Sequence, residues 1–512
     1  MAVTMLSAWC RVICLRKYFS SVSYNKKYAD LTIRPNPLSL SYSRAEESFQ
    51  HLCVHRKNEA KRSILIDINN KADGDFVYKH CEQFGKIKTA LHFRNKKDYM
   101  LIEFENEDCV SELLSTAGHF QNDQKVPAET RLLFLTRNGN IKYKGNPEAA
   151  PVFSIEHPPL FLSDFLATDS LSSQMQLLYQ HLQLTDLGQR LRFFICSTLE
   201  DMLGGLFPHC HIYPFGSSIN GVGRNDCDLD MILSLCPDKY QVKKSTLKFL
   251  TKRKQEDERS FSQRNLHVFA EMIENFIPSC VGVIPILNAR VPIIKFQHEA
   301  CGIECDLSLQ NNSGLTMSKL IYLLGVMDPQ VRPLIFTVRH WAKVNFLSHK
   351  NPGPWLSNFM YSILVICFLQ LRSQPILPPL KNLLLTDSRS KAQKQILFNK
   401  VGTCNVGDLL QEFLYFYSDF DFMSTALSPL HGNCFPKPDY SPLYIENPLD
   451  TELNICKNVN ERELVKLCEA MKVALWQLNH SGPSLLSIFQ TEDSKRILKK
   501  RFSVKDLFPK QE

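Results

Sequence analysis

The strongest constraint on this chain is a pair of aspartates two residues apart, Asp228 and Asp230, in the run Asp226-Cys227-Asp228-Leu229-Asp230-Met231-Ile232-Leu233. Residues i and i+2 of a strand project to one face, so the two carboxylates lie together while Leu229 and Met231 point into a core. Neighbouring carboxylates repel unless cations stand between them. Hard divalent ions with oxygen ligands, Mg2+ or Mn2+, meet that need and also bind triphosphates. Upstream, Phe215-Gly216-Ser217-Ser218-Ile219-Asn220-Gly221 offers a glycine where backbone can approach a phosphate, and hydroxyls that can donate to its oxygens at a helix start. The spacing puts a phosphate cradle beside a metal pair. Asp226 and Cys227, in the turn before the carboxylates, are further candidates to approach a triphosphate through backbone amides.

At 512 residues, 44% of them hydrophobic and 22% charged, the chain has length for several cores and is not a disordered polymer. A net charge of +8 suits a polyanionic partner such as RNA without requiring one. The 17 cysteines are scattered singly through apolar segments, as reduced core thiols are. The close pairs Cys10 with Cys14 and Cys301 with Cys305 lack a second pair or histidines at zinc-site spacing. No apolar run reaches the roughly 18 to 20 residues that span a bilayer; the longest, 361–371, reads as a core helix. Residues 1–29 carry Arg11, Arg16, Lys17, Lys26 and Lys27 among serines and apolar residues, with no acid before Asp30. That is the composition of a mitochondrial transit peptide, assigned to 1–40, with the matrix as destination.

A polar linker is expected around 39–59. Residues 62–136 then alternate strand-like and helix-like patterns in the order βαββαβ: a strand at 63–68, a helix at 75–84, strands at 86–93 and 98–104, a helix at 108–114 and a strand at 131–136. This order resembles an RNA-recognition-motif fold. That family stacks bases on aromatic side chains of two adjacent strands. Here Tyr99 keeps one aromatic, but Leu65 and Leu101 replace the others, so this face is expected to bury itself against protein, as a dimerisation surface. A connector with proline and glycine follows, then a helical pattern through Met175, Leu178, Tyr179 and Leu182. Strands dominate 212–309, interrupted by the charged stretch 252–264. Helices return beyond 313, and the tail at 495–501 is basic.

Strand, Gly-Ser turn, helix and Asp-x-Asp strand, in that order, resemble the nucleotidyltransferase superfamily of DNA polymerase beta and the poly(A) polymerases. The superfamily needs a third carboxylate on a neighbouring strand. Val291-Pro292-Ile293-Ile294-Lys295-Phe296 is followed by Gly302-Ile303-Glu304-Cys305-Asp306-Leu307-Ser308, where Glu304 and Asp306 share a strand face. The resemblance puts Asp306 at the family position, with Glu304 as competitor. It implies two-metal transfer: one ion, held by Asp228, Asp230 and Asp306, lowers the pKa of an RNA 3′-hydroxyl, and a second, held by Asp228 and Asp230, neutralises the triphosphate and leaving pyrophosphate. Attack is in line at the α-phosphorus, with Asp306 assisting deprotonation.

Asn311-Asn312-Ser313, Val338-Arg339-His340-Trp341-Ala342-Lys343 and Trp355-Leu356-Ser357-Asn358-Phe359-Met360 resemble the helical domain of RNA-specific terminal adenylyl- and uridylyltransferases. A helix puts Arg339 and Lys343 on one face, and the resemblance implies that they grip the β- and γ-phosphates. By the same resemblance Ser318 contacts ribose, Asn358 makes a polar nucleotide contact and Phe359 stacks on the base, as the family's tyrosine does. These join Phe215, Gly216, Ser217, Ser218, Asp226 and Cys227 as the nucleotide-binding set. Tyr444-Ile445-Glu446-Asn447-Pro448-Leu449 and Leu453-Asn454 resemble the poly(A)-polymerase-associated segment. Uridylyltransferases place a histidine before that asparagine to read the base edge; Leu453 cannot make the bond, which favours ATP.

Together with the presequence and the degenerate N-terminal domain, these features resemble the mitochondrial branch of the poly(A) polymerases. The implied fold is α+β: an N-terminal βαββαβ RNA-recognition-motif-like domain (60–137), a linker (138–164), a polymerase-beta-like nucleotidyltransferase palm with a preceding helix (165–312), a helical poly(A)-polymerase-associated domain (313–490) and a basic tail (491–512). The implied activity is addition of AMP from ATP to RNA 3′ ends with two Mg2+ or Mn2+ ions, by a homodimer joined through its N-terminal domain. The competing readings are a terminal uridylyltransferase of the same fold and a catalytically silent RNA-binding scaffold, the latter opposed by the intact Asp228, Asp230 and Asp306.

Overall fold

The computed structural model describes residues 42–119, 130–136, 153–154, 167–168, 170–207, 210–235, 257–309, 312–385, 404–480 and 484–489. The expected presequence, most of the connector 138–164, Asn311 and the basic tail lie outside the described residues. The chain divides into two compact units, the first containing Glu46–His157 and Leu184–Lys319, the second Pro158–Gln183 and Leu320–Glu512.

The chain begins with α1 (Tyr42–Lys61), β1 (Ser63–Ile68), α2 (Gly74–Cys81), β2 (Ile87–Asn95), β3 (Lys97–Phe104), α3 (Asp108–Ser115), β4 (Leu132–Phe134) and β5 (Phe153–Ser154). The expected βαββαβ order is present, and β5 adds an edge strand to give the sheet order β4-β1-β3-β2-β5. The stretch read as a polar linker is instead the 20-residue helix α1. It holds no glycine or proline and is rich in Ala, Glu, Lys and Arg, so its polarity reflects good helix formers rather than missing structure.

The two faces of this sheet bury different partners. Ile64, Ile66, Met100 and Ile102 pack with Val77 and Cys81 of α2 and Val110 and Leu113 of α3. On the other face Leu65, Leu91, Tyr99, Leu101 and Leu132 enter one core with Leu191, Phe194, Ile195 and Leu199 of a later helix. Leu65 is 0% and Tyr99 6% exposed, and Tyr99 stacks on Phe93 at 5.5 Å. The face with aliphatic replacements is buried against protein as expected, but the protein is its own chain. Self-association through this face is thereby corrected.

Next come α4 (Leu171–Leu182), which belongs to the second unit, and α5 (Asp186–Gly204). The first unit continues with β6 (Cys210–Phe215), β7 (Leu229–Leu235), α6 (Glu258–Phe276), β8 (Cys280–Ile286), β9 (Ile293–His298) and β10 (Ile303–Leu309). Its second sheet runs β6-β7-β10-β9-β8, with β7 and β10 parallel and the other neighbours antiparallel. The charged interruption expected at 252–264 runs into α6. Leu266, Phe269, Ala270 and Ile273 recur there at helical spacing and are buried, a period the surrounding charges conceal.

The helices α7 (Asn312–Met327), α8 (Val331–Val344), α9 (Asn358–Leu371), α10 (Leu380–Leu385) and α11 (Val406–Ser418) follow. Two small hairpins come next, β11 (Thr425–Ser428) with β12 (Asn433–Pro436) and β13 (Glu446–Asn447) with β14 (Asp450–Asn454). The helices α12 (Glu461–His480) and α13 (Leu485–Phe489) close the described chain. The apolar run 361–371 lies in α9, where Tyr361 to Gln370 are all buried, as in a core helix. No helix among the described residues is long and apolar enough to cross a membrane.

Candidate active site

The phosphate-cradle segment starts where β6 ends. At Gly216 the backbone turns with φ 64°, a region that favours glycine. A Cβ there would stand 2.7 Å from Asp230 Oδ2, so the turn lies directly against the carboxylate. Residues Gly216–Ser218 form one short 3-10 turn. The loop then folds back so tightly that a Cβ on Gly223 would meet the Ser217 carbonyl oxygen at 2.0 Å. Phe215 lies over Gly314, where a Cβ would be 2.7 Å from the ring.

Ser318 Oγ accepts from the Gly216 amide at 2.6 Å and donates to the Gly314 carbonyl at 2.7 Å. It is buried, 2% exposed. Its hydroxyl holds the Gly-Ser turn.

The carboxylates meet across the sheet. Asp306 on β10 stands opposite Asp230 on β7 in the parallel register, and Asp228 immediately precedes β7. Burial pushes the Asp230 carboxyl up to about 7; Asp306 and then Asp228 add to the rise and Lys295 opposes it. Lys295, opposite Asp306 on β9, holds its Nζ 3.4 Å from Asp306 Oδ1 and 3.6 Å from Glu304 Oε2. Asp306 Oδ1 is buried yet accepts no hydrogen bond. An under-satisfied carboxylate oxygen beside a mutually repelling pair is a donor set that fits a cation. Among the described residues no three His, Cys, Asp or Glu side chains are grouped closely enough to hold a metal ion as they stand. Glu304 opposes Gln297, while Asp306 occupies the rung with Asp230.

In the turn before β7, Asp226 is exposed and its Oδ1 accepts from Arg224 Nε at 2.9 Å. The Cys227 carbonyl accepts from Arg192. The remaining candidates lie in the second unit. On α8, Arg339 is buried and Lys343 exposed one turn later. Ser357 caps α9 by accepting from the Met360 amide, and Asn358 and Phe359 open that helix, both exposed. Phe359 is 37% exposed, which distinguishes it from a core aromatic. Leu453 is half-buried on β14.

Three contributors escaped the sequence reading. Asn454 is a buried organiser: its Oδ1 accepts from the Ile445 and Cys456 amides and its Nδ2 donates to the Leu443 carbonyl and Ser441 Oγ. Lys295 and Arg192 were legible only as cations inside apolar runs, a signal that marks a buried or paired charge without naming its partner.

Known proteins resemble this chain over most of its length. Residues 171–325 match the model of the mitochondrial-like poly(A) RNA polymerase central palm domain, 405–455 that of the Cid1 family poly A polymerase, and 48–118 that of the RL domain. The human protein "Poly(A) RNA polymerase, mitochondrial" is 34% identical over 464 residues, covering 86% of this chain and 78% of that protein. Its Drosophila melanogaster namesake is 32% identical, with 92% and 80% covered. The crystal structure of mtPAP in complex with ATPgammaS superimposes with a TM-score of 0.77 at 30% identity, covering 86% of this chain and 99% of that one.

Proposed function

We propose, since the chain belongs to the mitochondrial poly(A) RNA polymerase family, that it extends RNA 3′ ends with AMP from ATP in the mitochondrial matrix. The observation that carries the reading is the Asp230–Asp306 rung packed against the Gly216 turn. Asp228, Asp230 and Asp306 would hold two Mg2+ or Mn2+ ions, which supply activation of the 3′-hydroxyl and neutralisation of the triphosphate. The chain's own part is placement. The Gly216 turn, with Ser217, Ser218 and the 226–227 backbone, receives phosphates, and Ser318 keeps that turn in shape. Arg339 and Lys343 contribute positive charge for the β- and γ-phosphates, Phe359 a ring for the base, and Asn358 a polar contact. Asp306 takes up the hydroxyl proton. Homodimerisation belongs to the same reading, on a surface of the N-terminal domain other than the Leu65, Tyr99 and Leu101 face.

Base choice rests on Leu453. Incubating pure protein with oligo(A) RNA and each nucleotide separately should give long extension with ATP. Leu453→His should raise use of UTP relative to ATP about tenfold, the worth of one well-placed hydrogen bond. Preferential UTP incorporation by the unaltered protein would replace this reading with uridylyl transfer.

A further inference from the structure

Arg192 lies in the apolar run Leu191-Arg192-Phe193-Phe194-Ile195 of α5 and is 1% exposed. Burying a guanidinium is costly unless its donors are used. Nη1 donates to the Gly188 carbonyl one turn back at 3.0 Å, and Nη2 to the carbonyls of Asn225, at 3.3 Å, and Cys227. The last is the peptide group directly before Asp228.

The rest of that turn is moulded on the start of the same helix. The Leu184 amide donates to the Gly223 carbonyl at 2.9 Å and the Thr185 amide to Asn225 Oδ1 at 2.8 Å, while Thr185 Oγ1 caps α5 by accepting from the Gly188 amide. A Cβ on Gly188 would come within 3.0 Å of Asn225 Oδ1, so helix and turn are in close contact. Two residues before Arg192, and so on a different side of the helix, Arg190 reaches Glu59 at 2.9 Å, Glu103 at 2.7 Å and Asp186 at 2.7 Å. Glu103 belongs to β3 and is 1% exposed. The helix is thus tied to the N-terminal sheet on one side and to the carboxylate turn on another.

We propose that Arg192 is a positioning residue that aims the Asp228–Asp230 pair by fixing the peptide groups of the 225–227 turn. The proposal rests on the reading of these aspartates as metal holders. Without the guanidinium, the Asn225 and Cys227 carbonyls lose the bonds that tie the end of this turn to the buried face of α5. Groups that hydrogen-bond a metal's ligands directly are worth about 10- to 100-fold in metal affinity, and a group bonded to the adjoining peptide is expected at the lower end of that range.

The test is Mn2+ binding to the full chain, followed by electron paramagnetic resonance without nucleotide or RNA, for the unaltered protein, Arg192→Lys, Arg192→Met and Leu203→Ala. Leu203 is fully buried near the far end of the same helix and serves as a matched destabilisation. The expected result is Mn2+ affinity weakened about tenfold or more in Arg192→Met, intermediate in Arg192→Lys, and unchanged in Leu203→Ala despite its lower melting temperature. Should Arg192→Met fold poorly, Arg192→Lys carries the comparison. Affinity within twofold of the unaltered protein in a folded Arg192 variant, or an equal loss in Leu203→Ala, overturns the proposal. Failure of the unaltered protein to bind Mn2+ would instead remove the metal-holder reading beneath it.

Discussion

Asp306→Asn leaves a folded protein that extends RNA about a thousandfold or more slowly, whereas Glu304→Gln stays within about tenfold of the parent. The two acids share a strand face, so their chemistry alone does not separate them. Register does. Asp306 stands opposite Asp230 on the parallel neighbour, and its buried Oδ1 accepts no hydrogen bond. Glu304 sits one same-face step earlier on β10, opposite Gln297 of β9; Lys295 reaches both acids. Rates at saturating ATP and RNA, with circular dichroism to confirm folding, check this; equal losses in both variants would mean that the pair acts as a unit.

The second large effect has two signs. Asp230→Asn abolishes extension to a similar degree, yet stabilises the metal-free protein above neutral pH. Burial, then Asp306 and Asp228, push the Asp230 carboxyl from an ordinary 3.8 up to about 7. A folded-state value above the unfolded one contributes stability that is fully present below about pH 4 and lost as pH rises through about 7. At pH 8 in chelator, ionisation of this acid therefore works against the fold, on the order of 2–4 kcal/mol. Asparagine cannot ionise and escapes that loss. Thermal unfolding should show the variant melting several degrees above the parent at pH 8 in chelator, with the gap closing at pH 5 and on adding Mn2+. A variant that melts below the parent under all three conditions contradicts this account.

What could be read from the sequence follows from the range of each signal. Asp-x-Asp and the Gly-Ser turn are local signals, and the structure brings the Gly216 turn against Asp230. Asp306 required a pairing across more than seventy residues, which no local pattern encodes; only resemblance separated it from Glu304. The βαββαβ order was legible from alternation, but the replacement of stacking aromatics by Leu65 and Leu101 says only that the face is covered. That the cover is α5 of the same chain is a tertiary fact. Ser318 shows the same limit. A serine at a family position reads as a ligand contact, and its bonds to Gly216 and Gly314, which hold the Gly-Ser turn, are tertiary facts beside that reading. Charge obscures the helices α1 and α6, since strong helix formers such as Glu, Lys and Arg share their polarity with loops.

The central claim is that Asp230 and Asp306 on two adjacent strands, with Asp228 just before the first, gather two divalent ions for nucleotidyl transfer. Counting Mn2+ bound per chain, in the presence of a non-hydrolysable ATP analogue, tests it most directly. The account predicts two ions in the parent and loss of both, together with RNA extension, when Asp228 and Asp230 are both changed to asparagine. A doubly substituted protein that still binds two ions and extends RNA at the parent's rate would contradict it.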